Sequence, residues 1–340
     1  MTAAPVTSPS RISAAAPLVF RRLQLGNLPS DHTLLGARVV GSGADAIGAT
    51  LLAPAGSWAD AWIGDGQVEH RQHGCVRYAS NGEWLHGVAE VDDAATDGGL
   101  RAATYRAYAD LFEVLARSDS PHLLRLWNYV TDINRETDGS ERYRQFNAGR
   151  QQAFLEAERS AFEGSPAACA LGTRSGPLRV YFLAGRRAPL AIENPRQVSA
   201  YRYPTAYGPR APTFSRAALA DIGAGRQALF ISGTASIVGH ETMHLGDVRR
   251  QTQESLNNIG VLREIASQRA GAGFDADQLI YTVYVRRSDD IDAVRGEFER
   301  VVGATNRAAR EALYLHADIC RAGLLVEIEA HGFVPFEDPT

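Results

Sequence analysis

Lysine is missing from this chain: all 35 basic residues are arginines, set against 39 acidic ones. A GC-rich codon bias accounts for that, but it leaves only the planar guanidinium fork to hold an anion by full charge. The net charge of −4 and the want of any dense basic run exclude a nucleic-acid footprint and a membrane-surface patch. Cysteine is scarce. Cys75, Cys169 and Cys320 form an odd set without a C-x-x-C, which excludes a disulfide framework or zinc ribbon and fits a reducing, cytoplasmic location. No stretch of 18 apolar residues exists, so no membrane-spanning helix is expected. The opening "MTAAPVTSPSRISAAAP" lacks a basic start followed by an apolar core; residues 1–17 read as a flexible tail and not as a signal peptide.

At 340 residues, 45% hydrophobic and 22% charged, the chain has the profile of a globular protein of two domains. Its second half is the easier to read. "QALFIS" (227–232) is a strand ending at Gly233, and residues 247–267 put Val248, Thr252, Leu256, Ile259 and Leu262 on one helical stripe. "LIYTVYVR" (279–286) is a β-branched and aromatic strand, and Ile291, Val294, Phe298 and Val302 mark a second helix. "EALYLHADI" and "LLVEIEAHGF" complete the order β-α-β-α-β-β, an α+β sandwich with helices on one face of a mixed sheet. The first half repeats this order. A helix over 98–118 aligns Thr104 with Thr252, and "LLRLWNYVTDIN" (123–134) aligns Tyr129 and Val130 with Tyr284 and Val285. "ERYRQFNAGRQQAF" is then the second helix, with "LRVYFLAG" and "PRQVSAYRYP" as the last strands; Asn81-Gly82 marks a hairpin turn upstream. The expected domains are 18–215 and 216–340, with a cleft between them.

The string "HETMH", His240 to His244, has the H-E-x-x-H form of zinc metallopeptidases. That motif works when a helix sets both histidines on one face beside a metal-bound water. Here Gly239 precedes the string, Gly246 follows it, and the next helix begins only near Asp247, so it falls in a connecting loop without a third ligand. No metal and no cofactor are expected.

Larger patterns carry more. "LFISGT", "GDVRRQTQESLNNIGVL", "TVYVRRSDDIDAVRGEFE" and "LLVEIEAHG" resemble the RidA-like (YjgF-type) superfamily. "LWNYVTDIN", "ERYRQFNAGRQQAF", "FISGTASIVGHETMHLGD", "QTQESLNNI" and "ADICRAGLLVEIEAHG" resemble the chorismatases across the whole chain. The resemblance implies two fused RidA-like domains and a cofactor-free enzyme that removes the enolpyruvyl side chain of chorismate as pyruvate. It also implies a monomer or small homo-oligomer with a small-molecule partner, chorismate. The arginine by which RidA-type deaminases hold a carboxylate lies fifteen residues before the strand glutamate, where this chain has Ala312. Imine deamination is therefore the weaker implication; a RidA-like protein that only binds a metabolite is the non-enzymatic alternative.

Chorismate carries two carboxylates, which call for bidentate cationic anchors, and an enol ether, which an acid of raised pKa can protonate. Alternation places Glu327 and Glu329 on one strand face, and the resemblance makes Glu327 the catalytic acid. Tyr143 and Arg150 lie seven residues apart, on one helical face, and by the resemblance hold a carboxylate. From the loop "YRYPTAYGPRAPTFSR", Tyr203 and Arg216 are chosen as substrate-binding residues, with Tyr207 and Arg210 as rivals. Cys320 together with Gly233 is the combination associated with the 3-hydroxybenzoate-forming branch. In that branch the glycine would leave room for the ring and the thiol would assist aromatisation; the other branch hydrolyses chorismate to a dihydroxycyclohexadiene carboxylate.

Overall fold

The computed structural model of the chain describes residues 17–29, 32–43 and 46–335; of the tail expected over residues 1–17, all but Pro17 lies outside the described residues. Its first large sheet has seven strands in the order Asp318–Ile319, Ala167–Thr173, His122–Thr131, Leu178–Gly185, Trp84–Val91, Val76–Ser80, Glu69–His73. The second, also of seven, runs Leu190–Ile192, Ala217–Asp221, Arg226–Ala235, Val326–Pro335, Ile280–Val285, Leu313–His316, Thr50–Ala53. A three-stranded sheet of Leu18–Gln24, Trp58–Gly64 and Leu34–Val40 accompanies them.

Strand alternation sends successive side chains to opposite faces, and here each face has its own partner. Leu126, Val130 and Phe182 of the first sheet pack outward with Leu111, Leu115 and Phe146 of helices Gly99–Ala116 and Arg142–Glu156. Val283 and Ile328 of the second pack outward with Leu256, Ile259 and Phe298 of helices Val248–Ala270 and Ile291–Val302. The inner faces meet through Trp127, Tyr129, Tyr181, Phe230 and Tyr284. The result is helices, sheet, sheet, helices. Each large side chain fully buried in these layers contributes roughly 1.5–3 kcal/mol.

The residues aligned by the repeat behave alike. Thr104 and Thr252 are both buried and each hydroxyl donates to the carbonyl four residues back, at 2.7 and 2.8 Å. Tyr129 and Tyr284 meet between the sheets, their hydroxyls 3.2 Å apart. In sheet terms the two halves are interlaced: Thr50–Ala53 and Leu190–Ile192 edge the second sheet, and Asp318–Ile319 edges the first.

One local expectation is corrected, and one strand was not foreseen. "PRQVSAYRYP" is not a strand; it holds the single turns Ala200–Arg202 and Thr205–Tyr207. Pro195 and Pro204 lack ladder donors, and the backbone of Arg196 and Val198 bonds instead to Gly239, both at 2.8 Å. A strand the pattern did not show, Ala167–Thr173, lies parallel to His122–Thr131 with every residue buried. Covered on both faces, it carries no polar alternation.

One glycine sets the position of a whole helix. A Cβ on Gly149 would stand 2.2 Å from the Arg101 carbonyl oxygen and 3.0 Å from Thr104 Cβ, so only glycine lets Arg142–Glu156 approach Gly99–Ala116 this closely. Tyr143 and Arg150 ride on that helix.

Candidate active site

Where the strands Arg226–Ala235 and Val326–Pro335 pair, the register shifts between Ile231 and Thr234, and Ala235 ends opposite Glu327. A bulge of this kind re-aims the chain locally. Ser232 ties the bulge down: its hydroxyl donates to the Ser215 carbonyl at 2.6 Å and accepts from the Ala168 N–H at 2.9 Å. Gly233 follows. A Cβ there would lie 1.9 Å from Glu327 Oε1 and 3.0 Å from Cys169 Cβ. The space left by the missing side chain is therefore taken by the Glu327 carboxyl itself, a different reason for glycine from the room for a ring expected from the sequence.

Around this point lie two connected chambers. An inner one of about 30 Å³ and an outer one of about 240 Å³ share Tyr143, Phe214, Gly233, Cys320 and Glu327 in their walls. Arg150 and Cys169 line the inner chamber only; Tyr203, Tyr207, Arg216 and Arg321 line the outer. All seven residues singled out in the sequence thus border one cavity, contributed by both halves of the chain. Of the two rivals, Tyr207 lines the outer chamber, whereas Arg210 reaches instead to Gln151 at 3.4 Å. A larger groove of about 680 Å³ beside His86 and Tyr78 has no carboxyl group among the described residues of its walls.

The two strand glutamates, alike in the sequence, differ sharply here. Burial pushes the Glu327 carboxyl up to about 8, with the neighbouring Glu329 charge adding to it and Arg125, Arg286 and Arg216 opposing it. Glu327 is thus a neutral acid at pH 7. Burial acts on Glu329 too, but there Arg38 and Arg125 outweigh it and hold the group down at about 2. Arg38 donates to its Oε1 at 2.8 Å, Arg125 to its Oε2 at 2.5 Å, and the Tyr284 hydroxyl to Oε1 at 2.9 Å. Titratable neighbours pushed apart by their surroundings mark an acid and a fixed charge. Cys320 is a thiol and not a thiolate: burial, then the neighbouring Glu327, pushes it up to about 12.

The arginines are positioned by their own contacts. Arg216 Nη2 donates to the Val198 carbonyl and the Tyr203 hydroxyl, both at 2.8 Å, with its guanidinium 5.2 Å from the Phe214 ring centre. Arg150 Nη2 donates to Asn147 Oδ1 at 2.9 Å, and its guanidinium lies 4.8 Å from the Phe146 ring. Arg321, not singled out from the sequence, lies 3.9 Å from the Tyr207 ring centre and 4.8 Å from that of Tyr203. Each of these three keeps a buried N–H without an acceptor among the described residues: Nε of Arg150, Nε of Arg216 and Nη2 of Arg321. A buried donor left unpaired costs about 1–3 kcal/mol, so an occupant of the cavity that supplies acceptors is favoured. The sequence signal for Arg321 was its place beside Cys320; Cys169 sat in the strand that periodicity could not show.

Arg286 holds the turn that carries Cys320 and Arg321. Its Nη2 donates to the Ile319 and Arg321 carbonyls, both at 2.9 Å, its Nε to the Leu324 carbonyl at 2.6 Å, and its Nη1 to Asp318 at 2.7 Å. On the far wall, "HETMH" is not helical. Glu241–Thr242 pairs with Ile237–Val238, and His244 has φ of 55°. What the segment contributes to the site is a backbone group: the His240 carbonyl accepts from the Tyr207 hydroxyl and from Arg321 Nη1, each at 2.8 Å.

Comparison with known proteins identifies the family. The family model described as "Chorismatase FkbO/Hyg5-like, N-terminal" matches residues 60–184. A 3-hydroxybenzoate synthase of Streptomyces hygroscopicus is 40% identical over 290 residues, covering 82% of this chain and 83% of the relative. A chorismatase of Streptomyces rapamycinicus is 38% identical over 333 residues, 91% of this chain and 96% of the relative. A chorismatase crystal structure superposes with a TM-score of 0.82 at 32% identity, covering 94% of this chain and all of that one. Sequence identity of this order over most of both chains, and a shared fold along 94% of this one, place the chain in the chorismatase family.

Proposed function

We propose that the chain converts chorismate to 3-hydroxybenzoate and pyruvate without a cofactor. The observation that supports this most is the Glu327 carboxyl, buried beside Gly233 and Cys320 in a cavity walled by Arg150, Arg216 and Arg321, where burial raises its pKa. Glu327 transfers its proton to the methylene carbon of the enol ether, which becomes the methyl group of pyruvate. The resulting cation is shared with the ether oxygen. The neighbouring ring hydroxyl attacks the ring carbon as its bond to that oxygen breaks, and the freed electron pair completes the pyruvate carbonyl. The hydroxyl proton returns to the Glu327 carboxylate. The epoxide-like intermediate then opens as the Cys320 thiol gives its proton to the ring oxygen, and the thiolate so formed takes the ring C–H proton, which restores the thiol and gives the aromatic acid.

Cys320, protonated at neutral pH, serves as a neutral donor beside the ring oxygen during that opening. The atoms of chorismate equal those of the two products, so no water has to enter, in keeping with an acid that is only 3% exposed. The relative named 3-hydroxybenzoate synthase supports the same branch.

Incubation with chorismate, with pyruvate assayed enzymatically and the ring product identified by mass, tests the proposal. Equal amounts of pyruvate and 3-hydroxybenzoate are expected. A diene diol as sole ring product would move the chain to the hydrolysing branch, and no pyruvate at all would leave only a metabolite-binding role.

A further inference from the structure

Next to the acid, but outside the cavity, lies a guanidinium with one hydrogen bond unmade. Arg38, Arg125 and Glu329 are all buried, and none of them borders either chamber. Arg125, only 2% exposed, comes from the strand His122–Thr131, whose register against Leu178–Gly185 shifts beside it. Its Nη2 donates to Glu329 Oε2 at 2.5 Å, while its Nη1 is buried without an acceptor among the described residues. A buried donor left unpaired is costly, so the fold keeps this one for a partner that forms later.

Glu327 fits that part. It stands two residues from Glu329 on the same strand face, opposite Tyr284 where Glu329 is opposite Thr282. Such residues lie about 6.6 Å apart along a strand, within reach of one guanidinium that takes a carboxylate on each side. Two other arginines act on Glu327, and Arg125 is felt more strongly than either. Arg286 has all its N–H groups engaged, by the Leu324, Ile319 and Arg321 carbonyls, Asp318 and Asn134. Arg216 lines the outer chamber and is held there by Val198 and Tyr203.

We infer that Arg125 is a positioning residue for the proton transfer. One of its amino groups holds the Glu329 charge. When Glu327 gives its proton to the enol carbon, the carboxylate left behind takes the other. The guanidinium keeps all its protons; a hydrogen bond forms, and the new charge is met without water. The other ionisable groups around Glu327 do not change their state. Burial keeps the thiols of Cys320 and Cys169 and the phenols of Tyr143 and Tyr284 protonated. Arg150 and Arg321 add fixed charge from the cavity wall.

This rests on Glu327 being the acid, and steady-state kinetics with chorismate between about pH 6 and pH 10 separates the two claims. Lysine keeps a charge for Glu329 but lacks the second prong. Arg125→Lys is expected to keep Tm within a few degrees of wild type. Its kcat should fall on the order of 10- to 150-fold with KM within about twofold, as for one lost charge-assisted bond. Arg125→Gln removes a charge that favours the carboxylate, so the alkaline fall in kcat moves up by about one pH unit or more. Glu329→Gln removes a charge that disfavours it and frees Arg125, so the fall moves down by about as much.

A merely structural arginine would let lysine restore stability and kcat together, and that result overturns the inference. So does an alkaline fall that moves the same way in both glutamine variants. Where Arg125→Gln does not fold, Arg125→Lys and Glu329→Gln decide, and a fall that stays in place in the latter is equally fatal. A wild-type kcat that stays level through pH of about 8 sinks Glu327 as the acid instead, whatever the variants do.

Discussion

Glu327 and Glu329 project from the same face of one strand, yet one keeps its proton and the other gives it up, because only Glu329 has guanidinium groups bonded to it. An amide at position 327 keeps the shape and removes the transferable proton. Glu327→Gln is therefore expected to lower kcat about 10² to 10⁴-fold with substrate binding largely kept, as steady-state kinetics would register. A crippled Glu329→Gln beside an active Glu327→Gln would assign the acid to the wrong residue. The active form of Glu327 is the protonated one, populated below its raised value of about 8, so wild-type kcat should fall as pH rises through that value. A flat profile up to pH of about 9 would remove this group from the rate-limiting chemistry.

Short segments anchored from afar set the two sides of the cavity. The turn bearing Cys320 is fixed by Arg286, whose side chain bonds carbonyls on both sides of the cysteine. If the substrate's own hydroxyl performs the displacement, turnover in heavy-oxygen water leaves the 3-hydroxybenzoate hydroxyl unlabelled. Cys320→Ala should keep part of the pyruvate release, since Glu327 still protonates the enol, while diverting the ring towards a labelled, non-aromatic diol. Labelled hydroxyl in the wild-type product would refute the intramolecular route. On the other side, the Ile237–Thr242 hairpin serves through the His240 carbonyl, which alanine retains. His240→Ala and His244→Ala should stay within a few-fold of wild-type turnover, and exhaustive chelation should leave activity intact. Stoichiometric zinc lost together with activity would return the segment to the metallopeptidase reading.

At the scale of the molecule, the sheets face each other across apolar rings and a buried chain of charges. Arg22 bonds Asp60 at 2.7 Å, Asp60 bonds Arg38 at 2.8 Å, and Arg38 and Arg125 both bond Glu329. Glu329, depressed from 4.5 to about 2, contributes stability that is complete above pH of about 4.5 and lost as pH falls through 2. Glu327 acts in the opposite sense. With its folded value raised to about 8, both states are protonated below about 4.5; above that the unfolded chain ionises and the folded one does not, so wild type loses stability up to pH 8. Glu327→Gln removes that penalty. Its Tm should exceed that of wild type by a margin that grows between about pH 5 and pH 8, measured by calorimetry at both. A margin independent of pH would mean that the carboxyl is not buried in its neutral form.

Local pattern alone determined the long helices, the duplication and the central strands beside those helices, but not the three-stranded sheet of Leu18–Gln24, Trp58–Gly64 and Leu34–Val40. The stripe from Val248 to Leu262 and the alternation around Glu327 are written in neighbouring residues, which a sequence displays directly. The resemblance supplied the roles of Tyr143, Arg150, Tyr203, Arg216, Gly233, Cys320 and Glu327, and each of these borders the cavity. The strand Ala167–Thr173 stayed hidden because burial on both faces erases alternation, and Cys169 was hidden with it. Arg321 could not be told from any other surface arginine until the His240 carbonyl and the Tyr207 ring met it from elsewhere in the chain. The ionisation of Glu327 against Glu329 was likewise decided by the tertiary structure. Both are strand carboxylates in the sequence, and what separates them is the folding of Arg38 and Arg125, nearly 300 and just over 200 residues distant, onto one and not the other. Desolvation and charge pairing depend on distance in space, which periodicity along a chain does not encode.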